Sequence, residues 1–198
     1  MHNRVAEKLR AGEYDSIPEI TQLERSPYYT LLLNAFDDLQ TERLYRSHIH
    51  GVEHVERVML LGAIIAMQQS FSEREAELLL FACGYHDIGR RDDSRDDQHG
   101  KRSADALSLI QGTNINRDEM SCIQAAVATH STKDEKIEEY IEKYHVPVEL
   151  RDLSKLLCKG LKDADNLDRV RIHDLDIKHL RFEDSKRMKS VAEALFRT

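Results

Sequence analysis

The chain has 198 residues, a length that suits one domain with a full hydrophobic core. Acidic residues outnumber basic residues by 36 to 29 and the formal net charge is −7, so the composition argues against a protein that binds nucleic-acid duplexes. The longest apolar run, residues 58–67, is about half the length that a membrane span needs. The N-terminus has no apolar segment typical of a signal peptide. We therefore expect a cytoplasmic protein with no membrane partner.

Helical periodicity recurs along the chain, and no stretch shows the alternation of β-branched residues that is typical of strands. In the first half, the pattern predicts helices over 3–11, 27–45 and 50–69. The segment between the first two is predicted to be a turn region through Pro18. Ser72 and Glu75 have the spacing of a capping box, which predicts a helix that runs to about Tyr85.

The second half begins with a polar loop over 89–97 and is otherwise helical in pattern. The predicted helices cover 98–111, 117–130, 133–145, 148–168 and 184–197. Gly112 ends the first of them, and Asn116 and Glu119 form a second capping box. Residues 169–181 are predicted to be irregular. The sequence therefore predicts an all-α fold.

Six histidine and aspartate side chains lie at helix ends or in first turns, close to apolar stripes. They are His54, His86, Asp87, His99, His130 and Asp165. A single buried histidine is usually explained by a hydrogen bond to the backbone, because burial without a partner is costly. Together on five helices, these side chains are better explained by a divalent cation, since imidazole and carboxylate suit Fe, Mn, Co, Ni or Zn. No cysteine belongs to the set, which argues against a structural zinc site.

Four of these residues stand in a pattern that resembles the HD-domain superfamily of metal-dependent phosphohydrolases. The pattern consists of His54 in "HVERV", the doublet His86–Asp87 in "YHDIGR" and Asp165 in "KDADNLDR". Each motif is weak alone, but four residues in the expected order and flanks make the resemblance specific. It spans roughly residues 50–170. It implies a helical bundle of the HD type, with one domain over 1–198 in which helices of 3–45 and 184–197 pack on the motif-bearing core.

Superfamily members with two metals have two further histidines between the doublet and the last aspartate. His99 and His130 stand at those places. The resemblance then implies a first metal held by the four residues of the pattern and a second held by Asp87, His99 and His130. Asp87 would bridge the two and act as the catalytic residue. The implied cofactor is one or two divalent ions of Fe, Mn, Ni, Co, Zn or Mg.

The resemblance further implies hydrolysis of a phosphate ester or anhydride in a small molecule, with a nucleotide as the expected substrate. Arg90 and Lys101 are the predicted phosphate contacts, because each is a cation close to the metal-binding motifs. The alternative for both is solvation, or pairing with acidic residues of the 89–97 loop. Ser131 stands where the cyclic-dinucleotide branch has a second consecutive histidine, which puts a cyclic dinucleotide in doubt.

Two other functions stay open at this point. Some HD-fold proteins have similar ligands but use two irons to activate oxygen, and the ligand set alone does not separate them from hydrolases. A non-catalytic module that senses a nucleotide through a metal is the third possibility, although a complete ligand set argues against it. The sequence gives no indication of the oligomeric state.

Overall fold

The computed structural model describes residues 4–198, and within that range it has ten α-helices and no strand. The predicted all-α fold is confirmed. The helices are α1 (Val5–Arg10), α2 (Pro18–Glu24), α3 (Pro27–Asp37), α4 (Val52–Gln68), α5 (Glu73–Tyr85), α6 (His99–Ala106), α7 (Arg117–Thr129), α8 (Ile137–Lys143), α9 (Arg151–Leu167) and α10 (Lys189–Arg197). None of the helices in this range is long and apolar enough to cross a membrane.

Helix α4 lies at the centre of the bundle. Every residue from His54 to Ala66 is buried, as expected for a helix that is packed on all sides. It contacts α3, α5 and α9, and α7 packs against α6 and α9 on the other side of the core. One cluster of buried apolar side chains extends from Val5 in α1 to Leu195 in α10. The terminal helices α1 and α10 therefore pack on the same core as α4, α5, α7 and α9, which carry most of the predicted metal ligands.

The predicted helix over 27–45 is too long. Helix α3 ends at Asp37, and Thr41–Arg43 form a separate 3₁₀ turn. Two adjacent aspartates stand at this end, where the negative end of the helix dipole disfavours carboxylates. The backbone N–H of Gln40 instead donates to the hydroxyl oxygen of Tyr85 at 3.0 Å, so a tertiary contact replaces a helical one.

Other element boundaries differ by a few residues. The predicted helix 98–111 ends at Ala106 and continues as a 3₁₀ turn, and the predicted 148–168 helix begins at Arg151. Helix α2 is not predicted by the sequence pattern. Residue 3 of the predicted helix 3–11 lies outside the described residues. Both capping boxes are present, with the side chains of Ser72 and Asn116 accepting from backbone N–H groups three residues on.

The segment after α9 contains two 3₁₀ turns, Asp168–Ile172 and Ile177–His179, and is held against α9 by one buried carboxylate. Asp163 accepts hydrogen bonds from the backbone N–H groups of Arg181 and Phe182 at 2.8–2.9 Å. Burial raises the pKa of this carboxyl. Its role is therefore to fix the path of the tail, which forms one wall of the cavity described below.

We expect Asp163→Ala to lower the free energy of unfolding by about 2–3 kcal/mol, because two backbone N–H groups lose their acceptor. Urea denaturation measures this change. The control is Asp176→Ala, which removes an exposed aspartate that caps Lys178 in the same tail and should cost less than about 1 kcal/mol. Equal losses in the two variants would contradict the anchoring role.

Candidate metal centre

Two histidines of the cluster directly follow the last residues of helices. His86 caps α5 and His130 caps α7, and both are buried. Carbonyl groups in the last turn of a helix have no partner within the helix. The Nδ1 atoms of His86 and His130 satisfy two of them, at 2.8 Å from Cys83 O and 2.6 Å from Val127 O. The local structure thus fixes the direction of both rings.

The other two histidines are oriented in the same way by different oxygens. His99 Nδ1 pairs with the carbonyl oxygen of Asp96, and His54 Nδ1 lies 2.7 Å from Asp168 Oδ2. An imidazole that donates from Nδ1 carries its lone pair on Nε2. All four histidines therefore present Nε2 lone pairs, which is the arrangement that outer oxygens impose on metal-binding histidines.

The first group of donors surrounds His54 Nε2. This atom lies 3.1 Å from His86 Nε2, 3.5 Å from Asp165 Oδ1 and 3.6 Å from Asp87 Oδ2. His86 Nε2 lies 3.7 Å from Asp87 Oδ2 and 3.8 Å from Asp165 Oδ1. Two donors bound to one cation at about 2.0–2.2 Å lie no more than ~4.4 Å apart. All of these separations suit one shared cation.

The second group is built around the other oxygen of Asp87. His99 Nε2 and His130 Nε2 lie 2.8 Å apart, at 3.2 and 3.6 Å from Asp87 Oδ1. Two ring nitrogens at this distance share either a proton or a cation. Asp87 Oδ1 is buried and has no hydrogen-bond partner among residues 4–198. An acceptor in that situation calls for an ion. The donor set therefore fits two divalent cations, one at each oxygen of Asp87.

The charge states also suit metal binding. Burial, followed by the nearby Arg171 guanidinium, lowers the pKa of His54 to about 4, and burial lowers the pKa of His130. Burial acts to raise the pKa of Asp87 and Asp165, but the facing imidazoles, His86 first, lower both below the usual value. Near pH 7 the carboxylates are ionised and these two histidines are neutral. No proton then has to leave them when a metal binds.

Asp168 supports this centre without lying in it. Its two carboxylate oxygens accept from Arg57 at 2.6 and 3.1 Å. Oδ2 also faces His54 Nδ1, and Arg171 lies 3.5 Å away from it. Burial acts to raise the pKa of Asp168, but the contact with His54 and then the Arg57 guanidinium lower it below the usual value. The ionised carboxylate fixes the His54 ring.

A glycine brings the two halves of the second group together. A Cβ atom on Gly100 would lie 2.7 Å from Ser131 Oγ and 2.9 Å from Val127 O. The first turn of α6 therefore packs directly on the backbone at the end of α7. This close approach carries His99 to within 2.8 Å of His130.

A cavity of about 1060 Å³ opens onto the centre. Arg90, Arg171 and His50 are among the residues that line it. Arg90 Nε lies 3.0 Å from Asp87 Oδ2, and His50 Nδ1 lies 3.1 Å from the same oxygen. Among the described residues, Lys101 is not part of the cavity wall. It lies beside Lys143, whose pKa burial and Lys101 lower.

The sequence identifies the cluster but not two of the residues around it. Asp168 and Arg171 both lie in the 3₁₀ turn Asp168–Ile172, in a region predicted to be irregular after residue 168. The available signal is their spacing: they are three positions apart, so a continued helical turn places both on one face.

A helical protein with a buried cluster of histidines and aspartates belongs to the class that can hold divalent metals. The family model described as HD domain matches residues 51–170, more than half of the chain. The chain belongs to the HD domain family, and the resemblance inferred from its motifs is confirmed. Most members of the superfamily are metal-dependent hydrolases. Comparison with curated proteins gave no match, and comparison with solved structures gave none.

We expect Asp168→Asn to weaken binding of the first metal by about 10- to 100-fold, because the His54 ring loses the carboxylate that orients it. Calorimetric titration of the metal-free protein with Mn²⁺ measures the affinity. Asp176→Asn is the control, since it changes an exposed aspartate of the segment after α9 whose side chain accepts from the backbone N–H of Lys178. Unchanged Mn²⁺ affinity in Asp168→Asn would contradict the role of this carboxylate.

We expect Gly100→Ala to remove the second metal and retain the first, because the added methyl group pushes His99 away from His130. Elemental analysis should give one metal per chain in place of two. Lys101→Ala, at the next position of α6, should leave the value at two. A Gly100→Ala protein that keeps both metals would show that the close approach of the two helices is not required.

Proposed function

We propose that this protein hydrolyses a phosphate ester or anhydride of a small molecule with water activated by two divalent cations. The observation that carries the proposal is Asp87, whose two oxygens face two separate groups of nitrogen and oxygen donors. A carboxylate shared in this way is typical of binuclear sites that catalyse phosphoryl transfer to water. Membership of the HD domain family supports the same reaction class.

Cations bound to these residues supply a water whose pKa falls from 15.7 towards about 7 and neutralise charge on the phosphoryl oxygens. The protein's own residues have three tasks around them. His54, His86 and Asp165 would hold one cation, and His99 and His130 would hold the other. Asp87 would be shared between the two groups of ligands. Cationic side chains of the cavity wall bind the remaining phosphoryl oxygens.

Arg90 and Arg171 are the side chains that we assign to this last task. Their side chains are 11% and 6% exposed, so their charges act in a medium that screens them weakly. Arg90 donates to Asp87 and to Ser94 O, and Arg171 donates to Ile49 O, Asp168 and His50. Each guanidinium has five N–H donors, so both retain at least one for a ligand.

The two predicted phosphate contacts, Arg90 and Lys101, therefore have different outcomes. The position of Arg90 supports its role, because the side chain lies next to the bridging carboxylate and lines the cavity. No contact supports the same role for Lys101, so we replace it with Arg171. The expectation of a nucleotide substrate rests on the resemblance alone.

We expect Asp87→Ala to abolish phosphatase activity and lower the metal content of the purified protein to near zero, because both groups of donors lose their shared ligand. Phosphate release from a panel of sugar phosphates, nucleotides and aryl phosphates in Mn²⁺ measures activity. Metal content that is unchanged in this variant would contradict the assignment of the site.

We expect Arg90→Gln and Arg171→Gln each to lower kcat/KM by about 100-fold, a loss typical of one removed donor to developing charge. Metal content should stay at the wild-type value in both. Lys101→Gln is the control and should change kcat/KM by less than about twofold. A large loss in Lys101→Gln with none in Arg171→Gln would reverse this assignment.

The oxygenase alternative gives a different result in the same preparation. A di-iron oxygenase consumes oxygen in the presence of its substrate and releases no phosphate. Protein loaded with Fe²⁺ should therefore release phosphate without oxygen uptake if the proposal is right. Oxygen uptake that depends on an added small molecule, with no phosphate release under any metal, would replace the proposal with the oxygenase reading.

A further inference from the structure

The residues that line the cavity above the metal centre are almost all of polar types. Among the described residues that line it, Ile172 and Leu180 are the only aliphatic ones, and none is phenylalanine, tyrosine or tryptophan. Binding sites for flat organic ligands are usually lined by apolar and aromatic side chains with a few polar groups. Phe81 and Tyr85 line a different cavity, between α3 and α5. The wall therefore has no phenylalanine, tyrosine or tryptophan ring against which a nucleobase could stack.

Acidic and basic side chains occur in nearly equal numbers along this wall. Asp134 lies 2.9 Å from Lys162 Nζ and 2.8 Å from Arg181 Nη2, and Asp174 pairs with Arg169. Away from the metals, a chain of phosphates would meet as many carboxylates as cations. A hydroxyl group both donates and accepts hydrogen bonds, so it suits a wall of mixed charge.

We propose that the substrate is a compact phosphorylated sugar or polyol, which the site recognises by its phosphate and its hydroxyl groups without using a nucleobase. This inference rests on the proposed phosphatase function and names the substrate class. The phosphate lies at the metals with Arg90 and Arg171. The hydroxyl groups face the mixed wall formed by the end of α7, the end of α9 and the tail that Asp163 anchors.

Besides the buried ring of His50, which contacts Asp87, two rings outside the cluster could stack on a base. His179 is exposed and lines the cavity. Tyr45 lies next to the wall, where desolvation followed by the Asp93 carboxylate raises the pKa of its hydroxyl. A stacked base is worth roughly 5- to 150-fold in affinity. If either ring stacked on the base, a nucleotide would bind more tightly than the matching sugar phosphate by at least about fivefold.

Four ligands with matched phosphate groups separate these possibilities. Ribose 5-phosphate, AMP and UMP carry the same phosphate on the same ribose carbon, and pentyl phosphate has a five-carbon chain without other hydroxyl groups. Each is added to the Mn²⁺-loaded protein. The comparison uses kcat/KM where a ligand turns over and Kd from calorimetry where it does not. We expect neither nucleotide to exceed ribose 5-phosphate by as much as fivefold, and pentyl phosphate to be at least tenfold weaker.

A nucleotide that exceeds ribose 5-phosphate by fivefold or more would overturn the inference, and loss of that preference in His179→Ala or Tyr45→Ala would identify the ring responsible. Pentyl phosphate that matches ribose 5-phosphate would overturn it as well, since the hydroxyl groups would then go unrecognised. If none of the four ligands binds, the inference is overturned as well. Binding of ribose 5-phosphate without phosphate release from any compound would instead count against the proposed function and leave the substrate class in place.

Discussion

The structure is organised around two pairs of buried imidazoles that face a single carboxylate. The Nε2 atoms of His54 and His86 lie 3.1 Å apart, and those of His99 and His130 lie 2.8 Å apart. Asp87 lies between the two pairs with one oxygen toward each. Removing these polar groups from water costs free energy unless they gain partners in the folded protein. A divalent cation held by such a cluster offsets this cost through its bonds to the imidazole and carboxylate groups.

The rest of the fold makes this arrangement rigid. Helix ends supply the carbonyl groups that orient His86 and His130, and Asp168 with its two arginines orients His54. Gly100 allows the α6 backbone to approach the end of α7, so the second pair of histidines meets. Each of these contacts fixes the position or direction of a histidine ring. Metal binding requires ligands that are held within about 0.5 Å and 10–20°. The tail after α9 completes the cavity and brings Arg171 to the centre.

The sequence predicts the helical class, both capping boxes and the six candidate ligands, because these depend on local periodicity and on polar residues at unusual places. It does not predict the end of α3, which a hydrogen bond from Gln40 to Tyr85 helps to set across the fold. It also misses Arg171 as a residue of the centre, because the segment after residue 168 is predicted to be irregular, so no helical face is assigned to it. Lys101 shows the opposite error. It is close to His99 in sequence, but residues two positions apart on a helix point about 200° apart, and the Lys101 side chain lies beside Lys143.

The polar residues of the cavity wall lie beside the candidate metal centre, and the hydrophobic core holds the helices that carry both. The most direct test of the central claim is a crystal structure of the Mn²⁺-loaded protein with anomalous diffraction at the manganese edge. The account predicts two peaks about 3.5–4 Å apart, one at each oxygen of Asp87. A map with no peak at these residues, or with a single peak whose ligands exclude Asp87, would contradict it.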